Sequence, residues 1–470
     1  MQDTNGDLPR LQRDIERASN DIKNAKNVLV VAHSDADGIS AGSIATITLE
    51  RLGIDHRTLF LPSMDEDSVR MVSEAQEDFV WICDMGSAQL SGFTRQNLII
   101  TDHHTPDPNW RRKQTVLDSF ASIEHLNPYS YGYDGASDIS GAGMTYLLSK
   151  GIAPDNTDLA HLAIVGAIGD CQDNDGSKLK GLNRIILEDA VQKGDVVVER
   201  DLRLFGRETR PIVQFFQYST DPPLEGLTDD PSGCVEMLEF LNIPLYNDGK
   251  MRCWNELNSD EKERIIDNVL SPLSIEDQNK VYGEVYTLPK FDRGTELRDA
   301  KEFSNVLNSC GRYNDADTAM RICHGDASAL MDAETNRAEH RRQISSAVSY
   351  IKGNHLIRER KFIQYFDGGD AVKDTVLDVV TCMILNSPEC RRNHPIFGFA
   401  DSGELLKISA RANKDLADKG LDLSVVVKAA AESVGGSGNG QTVTAAASIP
   451  KSRMEEFLDL AEELVSAQLS

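Results

Sequence analysis

The sequence predicts an α/β protein: a doubly wound, mostly parallel sheet in an N-terminal domain, a helical middle region, and a smaller C-terminal α/β domain. Three observations predict it. Short apolar runs alternate with helix-patterned segments from about residue 27 to residue 170, the rhythm of strand–helix–strand units. Several of those runs stop at an Asp or a His, and in open parallel sheets polar groups that do chemistry gather just beyond the C-terminal strand ends. The rhythm fades between about residues 222 and 350 and a second α/β pattern starts near residue 353.

Residues 11–26 read as a polar helix, and Asn27–Ala32 (NVLVVA) as a buried strand. A helix over Ile39–Leu52 follows, then strands at Arg57–Leu61, Phe79–Cys83, Leu98–Thr101 and Ser122–His125. Ser140–Ser149 and Leu159–Ile168 carry the small and apolar residues of closely packed, buried helices. Helical patterns then dominate, as in Asp260–Val269 and the charged stretch Asp326–Ile351. The last part reads as a strand at Leu405–Ala410, a helix at Leu423–Ser433, a glycine-rich loop at 435–440, a strand at Thr442–Ile449 and a helix from Lys451. Domains are expected at 22–215, 216–352 and 353–470.

Composition narrows the class. A chain of 470 residues with 40% hydrophobic residues can build two or three cores. No apolar run reaches the roughly 18–20 residues that cross a bilayer, so no membrane partner is expected. The polar, acidic N-terminus does not read as a signal peptide, and a cytoplasmic protein is expected. The eight cysteines form no C-x-x-C pair, which argues for free thiols rather than a zinc knuckle. The formal net charge of −26 is spread along the chain. Ordinarily that repels nucleic acid, but at about 1 M salt the Debye length falls to roughly 3 Å and only local contacts count. A dispersed acidic surface fits a salt-adapted, halophilic source.

Four motifs carry the candidate chemistry. His33-Ser34-Asp35-Ala36-Asp37-Gly38 follows the first strand; alternate residues of an extended chain share a face, so His33, Asp35 and Asp37 are expected to converge. Carboxylates with an imidazole suit Mn²⁺ or Mg²⁺ better than zinc; helix N-capping is the plainer explanation of an Asp there. Asp84 ends the strand FVWIC, Asp102-His103-His104 ends LIIT, and Asp170 ends the apolar segment LAIVGAIG. Alone, Asp84 is a weak signal; a hydrogen-bonded loop is the alternative for Asp102-His103-His104, and a helix-terminal or turn Asp for Asp170. In this order, on one predicted sheet edge, they suggest a two-metal site that activates water and steadies a leaving oxygen.

HSDADG, CDMGS, TDHH and the Asp170 segment resemble the four motifs of the DHH-superfamily phosphoesterases. NPYSYGYDGASDISGAG and LFGRETRPIVQFFQYSTDPPLEGLT resemble the archaeal RecJ-like branch of single-strand exonucleases, and KISARANKDLADKGLDL with VGGSGNGQTVTAAASIP resembles the small substrate-binding domain that accompanies such cores. The resemblance implies roles. Asp35 would ligate one metal, Asp37 the other, and Asp84 both; His103 and Asp170 would complete the second ion's shell, and His33 would sit in or beside the first. His104 would contact the scissile phosphate and Asp102 would orient the histidines. Ser409 and Arg411 would bind phosphate, with the glycine loop Gly435, Gly436, Gly438 and Gly440. Gln441 stands where the family has histidine, which alters how substrate is clamped. Two divalent ions are implied, Mn²⁺ ahead of Mg²⁺.

The activity implied is hydrolysis of single-stranded DNA or RNA from an end, in replication or repair, with docking on GINS-like replication-complex proteins. Two other readings stand beside it: a phosphodiesterase of oligonucleotides or cyclic dinucleotides, and a largely non-catalytic replication scaffold. Three basic clusters bear on substrate: Arg203, Arg207 and Arg210; Arg337, Arg341 and Arg342; and Arg358, Arg360 and Lys361. Phe215, Phe216 and Tyr218 have a spacing that fits core packing as well as stacking surfaces.

Overall fold

The computed structural model describes residues 6–108, 123–219, 222–326, 328–387 and 389–469, except for the side chain of Gln441. The chain forms two compact units, residues 1–333 and 334–470.

The first unit opens with α1 (Leu8–Asn24), capped by the Asp7 side chain. It continues through β1 (Asn27–His33), α2 (Ala36–Leu52), β2 (Asp55–Leu61), α3 (Glu66–Glu74), β3 (Phe79–Cys83), β4 (Leu98–Thr101) and β5 (Ile123–Leu126). The five strands lie side by side in the order β2-β1-β3-β4-β5. All four pairings are parallel. The direction of winding reverses between β1 and β3, and the crevice at such a reversal is where α/β sheets bind ligands. Ser122, the first residue of the fifth strand read from sequence, lies outside the described residues; the strand itself is Ile123–Leu126.

Alternation along β1 explains how both faces are buried. Val28, Val30 and Ala32 point into a large core built with α1, α2, α4 (Gly141–Ile152) and α5 (Ala160–Gly169). Leu29 and Val31 point the other way, against Val72 of α3 and the strand residues Val80, Ile82, Leu98 and Ile100. α4 and α5 are rich in Gly, Ala and apolar residues and are buried along most of their length.

Downstream come α6 (Gly181–Lys193), β6 (Val197–Leu202), α7 (Ile212–Gln217), α8 (Pro231–Phe240), the two-residue strands β7 (Tyr246–Asn247) and β8 (Lys250–Met251), α9 (Ser259–Leu270), α10 (Ile275–Val281) and β9 (Tyr282–Thr287). β9 is a strand within the region that reads as helical; it pairs antiparallel with β6. A separate core around Trp254 holds this part together, and Phe215 and Phe216 are buried in it. Tyr218 is half exposed. α11 (Ala300–Arg312) and α12 (Ala316–Cys323) return to the first core, and α13 (Ala329–Gly353) runs across the boundary between the units.

The second unit is a six-stranded sheet of β10 (Arg358–Glu359), β11 (Gln364–Asp367), β12 (Ile396–Ser402), β13 (Leu405–Arg411), β14 (Ser437–Gln441) and β15 (Thr444–Pro450), in the order β10-β11-β12-β13-β15-β14. Its helices are α14 (Leu377–Leu385), α15 (Lys414–Ala417), α16 (Leu423–Ser433) and α17 (Met454–Leu469). The glycine-rich stretch departs from expectation: Ser437–Gln441 is an edge strand, paired antiparallel with β15, and only Gly435 and Gly436 remain outside it. The sequence SGNGQ carries no apolar alternation, so its strand character is set by its neighbours. A Cβ on Gly440 would lie 2.5 Å from Ala445 Cα, and one on Gly438 3.0 Å from the Val427 carbonyl oxygen. The glycines admit a close approach to β15 and α16 rather than a loop.

Candidate metal centre

Six of the predicted residues come together at the C-terminal edge of the first sheet. His33 ends β1, and Asp35 caps α2 by accepting a hydrogen bond from Gly38 N–H at 2.9 Å. Asp37 lies in the first turn of α2, so alternation in an extended chain is not what aims it. Its two oxygens accept hydrogen bonds from the N–H groups of Gly141 (2.6 Å) and Ala142 (3.1 Å) at the start of α4. Capping and clustering are both true of Asp35: one oxygen holds the helix and the other lies 2.9 Å from His33 Nδ1.

Asp84 sits between two groups. One oxygen is 3.5 Å from His33 Nδ1 and the other 3.3 Å from His103 Nε2. His103 Nε2 is also 3.2 Å from Asp170 and 3.9 Å from Asp37. The ligand-type atoms form three trios, each with its atoms within 4.8 Å of one another: His33, Asp35 and Asp84; Asp37, His103 and Asp170; and, overlapping both, Asp84, His103 and His104. Asp84 adopts a left-handed backbone (φ 61°), a conformation that costs a non-glycine residue energy. Asp173 and Asp175, close by in sequence, point elsewhere: Asp173 pairs with Arg203 and Asp175 with Lys180.

The outer contacts settle which ring nitrogens face inward, because a carbonyl oxygen only accepts. His33 Nε2 donates to the Pro62 carbonyl at 3.2 Å, leaving Nδ1 inward; His103 Nδ1 donates to the Gly135 carbonyl at 2.6 Å, leaving Nε2 inward. His104 Nδ1 donates to Asp102 at 2.8 Å, and its other nitrogen is on the exposed side. Asp102 is fully buried and also accepts from the N–H groups of Ser87, His103 and His104.

These inward atoms fit a cation. His33 Nδ1, His103 Nε2 and both Asp84 oxygens are buried and have no hydrogen-bond partner, despite their short mutual distances. Buried polar atoms are not left unpartnered without a reason. The electrostatics agree. Burial opposes charge on His33, yet Asp35 and Asp84 outweigh it and raise the ring to about 11. Burial likewise opposes charge on His103, which Asp170 and Asp84 lift well above the ordinary range. Burial raises Asp37 well above a normal carboxyl, reinforced by Asp84 and Asp170. Burial also pushes Asp84 up, but its two histidines prevail and hold it low. The cluster demands positive charge.

Two glycines press on it. A Cβ on Gly141 would lie 2.4 Å from an Asp84 oxygen, and one on Gly166 2.3 Å from an Asp37 oxygen. Other supporting residues gave no sequence signal. Gln172 donates to the Gly135 carbonyl that holds His103 and accepts from Asn183; Asn308 of α11 accepts from Ala36 N–H at 2.8 Å.

The remaining predicted residues lie in the second unit. Ser409 and Arg411 are two apart on β13; the Ser409 hydroxyl is fully buried, while Arg411 lines a cavity of about 270 Å³ with Asp378, Asn439 and Gly440. Gln441 pairs with Thr444 at the end of β14, and the expectation for its side chain lies outside the described residues. Of the basic clusters, Arg203 and Arg207 are buried in ion pairs and Arg360 is held by Glu455 and Asp459. Among the described residues, no helix is long and apolar enough to cross a membrane.

Comparison with known proteins bears on the fold and the family. An uncharacterized protein of Methanocaldococcus jannaschii is 26% identical over 449 residues, 94% of each chain. A structure of exonuclease RecJ bound to manganese superposes with a TM-score of 0.54 at 16% identity, covering 97% of this chain and 94% of that one. CDC45 from Entamoeba histolytica gives 0.59 at 11% identity, covering 97% and 98%. At these identities both share the fold. This chain spans 55% of the length of Thermus thermophilus RecJ, where the TM-score is 0.49. Residues 27–167 match the DHH family N-terminal domain, 204–279 the DHH-CID domain and 378–467 the DHHA1 domain. With all three domains in this order, the chain belongs to the DHH superfamily.

Proposed function

We propose that the protein is a two-metal phosphodiesterase that hydrolyses single-stranded nucleic acid from an end, with Mn²⁺ preferred over Mg²⁺. The observation that carries this reading is the set of inward-facing, unpartnered atoms of His33, Asp84 and His103. His33, Asp35 and one Asp84 oxygen would hold one cation; Asp37, His103, Asp170 and the other Asp84 oxygen would hold the second. When bound, the cations supply Lewis-acid chemistry, making water more acidic and neutralising charge on the phosphoryl group. The carbonyls of Pro62 and Gly135 fix the tautomers of His33 and His103, so no ring flip is needed before binding. Asp102 raises the affinity of His104 for a proton. His104 then presents its outer N–H to a phosphate oxygen as a charge-assisted donor.

A non-catalytic scaffold role, suggested by the likeness to CDC45, gives no reason to retain six converging ligand groups. A role in replication or repair beside GINS-like proteins, and action on small cyclic or linear dinucleotides, remain finer alternatives for the same chemistry. The test is purified protein with Mn²⁺ in molar KCl, given DNA and RNA strands labelled at either end, beside Asp84→Ala. Stepwise shortening by the wild type and its loss in the variant are expected. Equal turnover by Asp84→Ala, or an inert wild type that binds Mn²⁺ normally, overturns the reading.

A further inference from the structure

Beside the metal cluster lies a cavity of about 410 Å³ whose walls include Arg203, Phe205, Arg210, Tyr218, Lys280 and Lys301. Four cations around one hollow are unusual in a chain of net charge −26. They are unequally neutralised. Arg203 pairs with Asp173 at 2.6 Å, and Lys280 lies 3.6 Å from Glu276 and 3.4 Å from Asp277. Arg210 is gripped between the rings of Phe205 (4.5 Å) and Tyr218 (5.3 Å) and makes no ion pair among the described residues. The Lys301 ammonium donates to the Arg203 carbonyl at 3.0 Å and likewise pairs with no carboxylate among them. Arg203 is 5% exposed, and its Nε has no hydrogen-bond partner. A buried guanidinium with an idle donor beside two uncompensated cations is a built anion site.

The cavity is tied to the metal cluster by two elements. Asn174, four residues beyond Asp170, lines it, so the two positions are at most about 14 Å apart along the chain. Arg203 donates to the Asp173 carbonyl and the Asn174 side chain, which anchors that segment. Lys301 stands in the first turn of α11, whose Asn308 holds the loop between His33 and α2.

The geometry points to a second phosphate-binding site: the cavity of Arg203, Arg210 and Lys301 takes a backbone phosphate of the same single strand whose scissile phosphodiester meets the metal cluster. This inference rests on the proposed function. It explains how an acidic protein holds a polyanion: the aromatic clamp fixes Arg210 in place, so a local cationic spot acts where long-range attraction is lacking. A free phosphate or a mononucleotide presents the same oxygens, and the experiment separates these sources.

The test measures binding of a fluorescent oligothymidylate of about twelve nucleotides, without divalent metal, by wild type, Arg210→Gln, Lys301→Gln and the double variant over a KCl series. Hydrolysis of that strand and of bis-p-nitrophenyl phosphate is measured in parallel with Mn²⁺. The double variant is expected to bind the strand about tenfold or more weakly and to lower the slope of log K against log salt by about 1–2. Its kcat/KM should fall at least tenfold further on the strand than on the small diester. Equal affinity and slope in wild type and double variant overturn the site. Competition by inorganic phosphate or thymidine monophosphate at micromolar levels, with no gain from strand length, overturns the strand assignment in favour of a small-anion site. If wild type hydrolyses the small diester but binds no strand, this inference fails while the metal chemistry stands. If strands bind through Arg210 and Lys301 without hydrolysis of either substrate, the site stands and the enzyme reading fails. Should the double variant unfold, Lys301→Gln, which gives up one carbonyl contact, decides alone.

Discussion

At the scale of single residues, the cluster depends as much on what is absent as on what is present. Gly166 and Gly141 leave room for the carboxylates of Asp37 and Asp84, and a methyl group at either position would need the carboxylate to move. Metal ligands tolerate errors of only a few tenths of an ångström. Gly166→Ala is therefore expected to lower Mn²⁺ affinity at least tenfold while unfolding stays cooperative, measured by calorimetric titration and thermal melting. Unchanged affinity would mean that Asp37 is not a ligand. The motif residues were legible because carboxylate and imidazole side chains at strand ends have few other uses in such number. Their supports were not. Gly135 acts through a carbonyl that every residue has, and Asn308 reaches Ala36 across 272 positions of sequence. The pairing of the arginines was hidden for a related reason: Arg203 and Arg207 look like a surface patch in one dimension, but their partners Asp173, Asp201 and Asp299 become visible only on folding.

At the scale of elements, continuous apolar runs buried on both faces gave β3 and β4 to the residue, since nothing but a central strand suits FVWIC or LIIT. β14 and β9 escaped because an edge strand and a lone partner strand need no strong pattern of their own. α5 carries an acid-sensitive joint. His161 is 5% exposed, donates from Nδ1 to the Asp158 carbonyl and accepts from Lys290 at Nε2, both at 2.7 Å. Burial first, and Lys290 second, push its ring down to about 3. The ring is neutral in the fold but titrates near 6.5 once unfolded, so its contribution is intact above about pH 6.5 and is lost as pH falls toward 3. His161→Gln can keep both hydrogen bonds without titrating. Its unfolding free energy should fall less than the wild type's between pH 6 and 4, by about 1.4 kcal/mol per pH unit. Parallel profiles would show that His161 is not held neutral.

At the scale of the whole molecule, the charge of −26 and the metal cluster make separate claims. Self-repulsion of a dispersed acidic surface weakens as salt shortens the Debye length. The melting temperature is expected to rise from 0.1 M to 2 M KCl, and a flat or falling trend would remove the salt-adaptation reading. The parallel α/β class and the place of the motifs at one sheet edge were readable from strand rhythm; the strand order and the reversal between β1 and β3 were not, because they depend on pairings between segments distant in sequence. The basic cavity was not, because its walls come from segments between residues 174 and 301 that fold together only in three dimensions. The central claim is that Asp84 joins two cation sites. Anomalous diffraction at the manganese edge, from crystals grown with Mn²⁺, tests it most directly. The account predicts two peaks flanking the Asp84 carboxylate, one beside His33 and Asp35 and one beside Asp37, His103 and Asp170; no peak there, or peaks that leave Asp84 untouched, would contradict it.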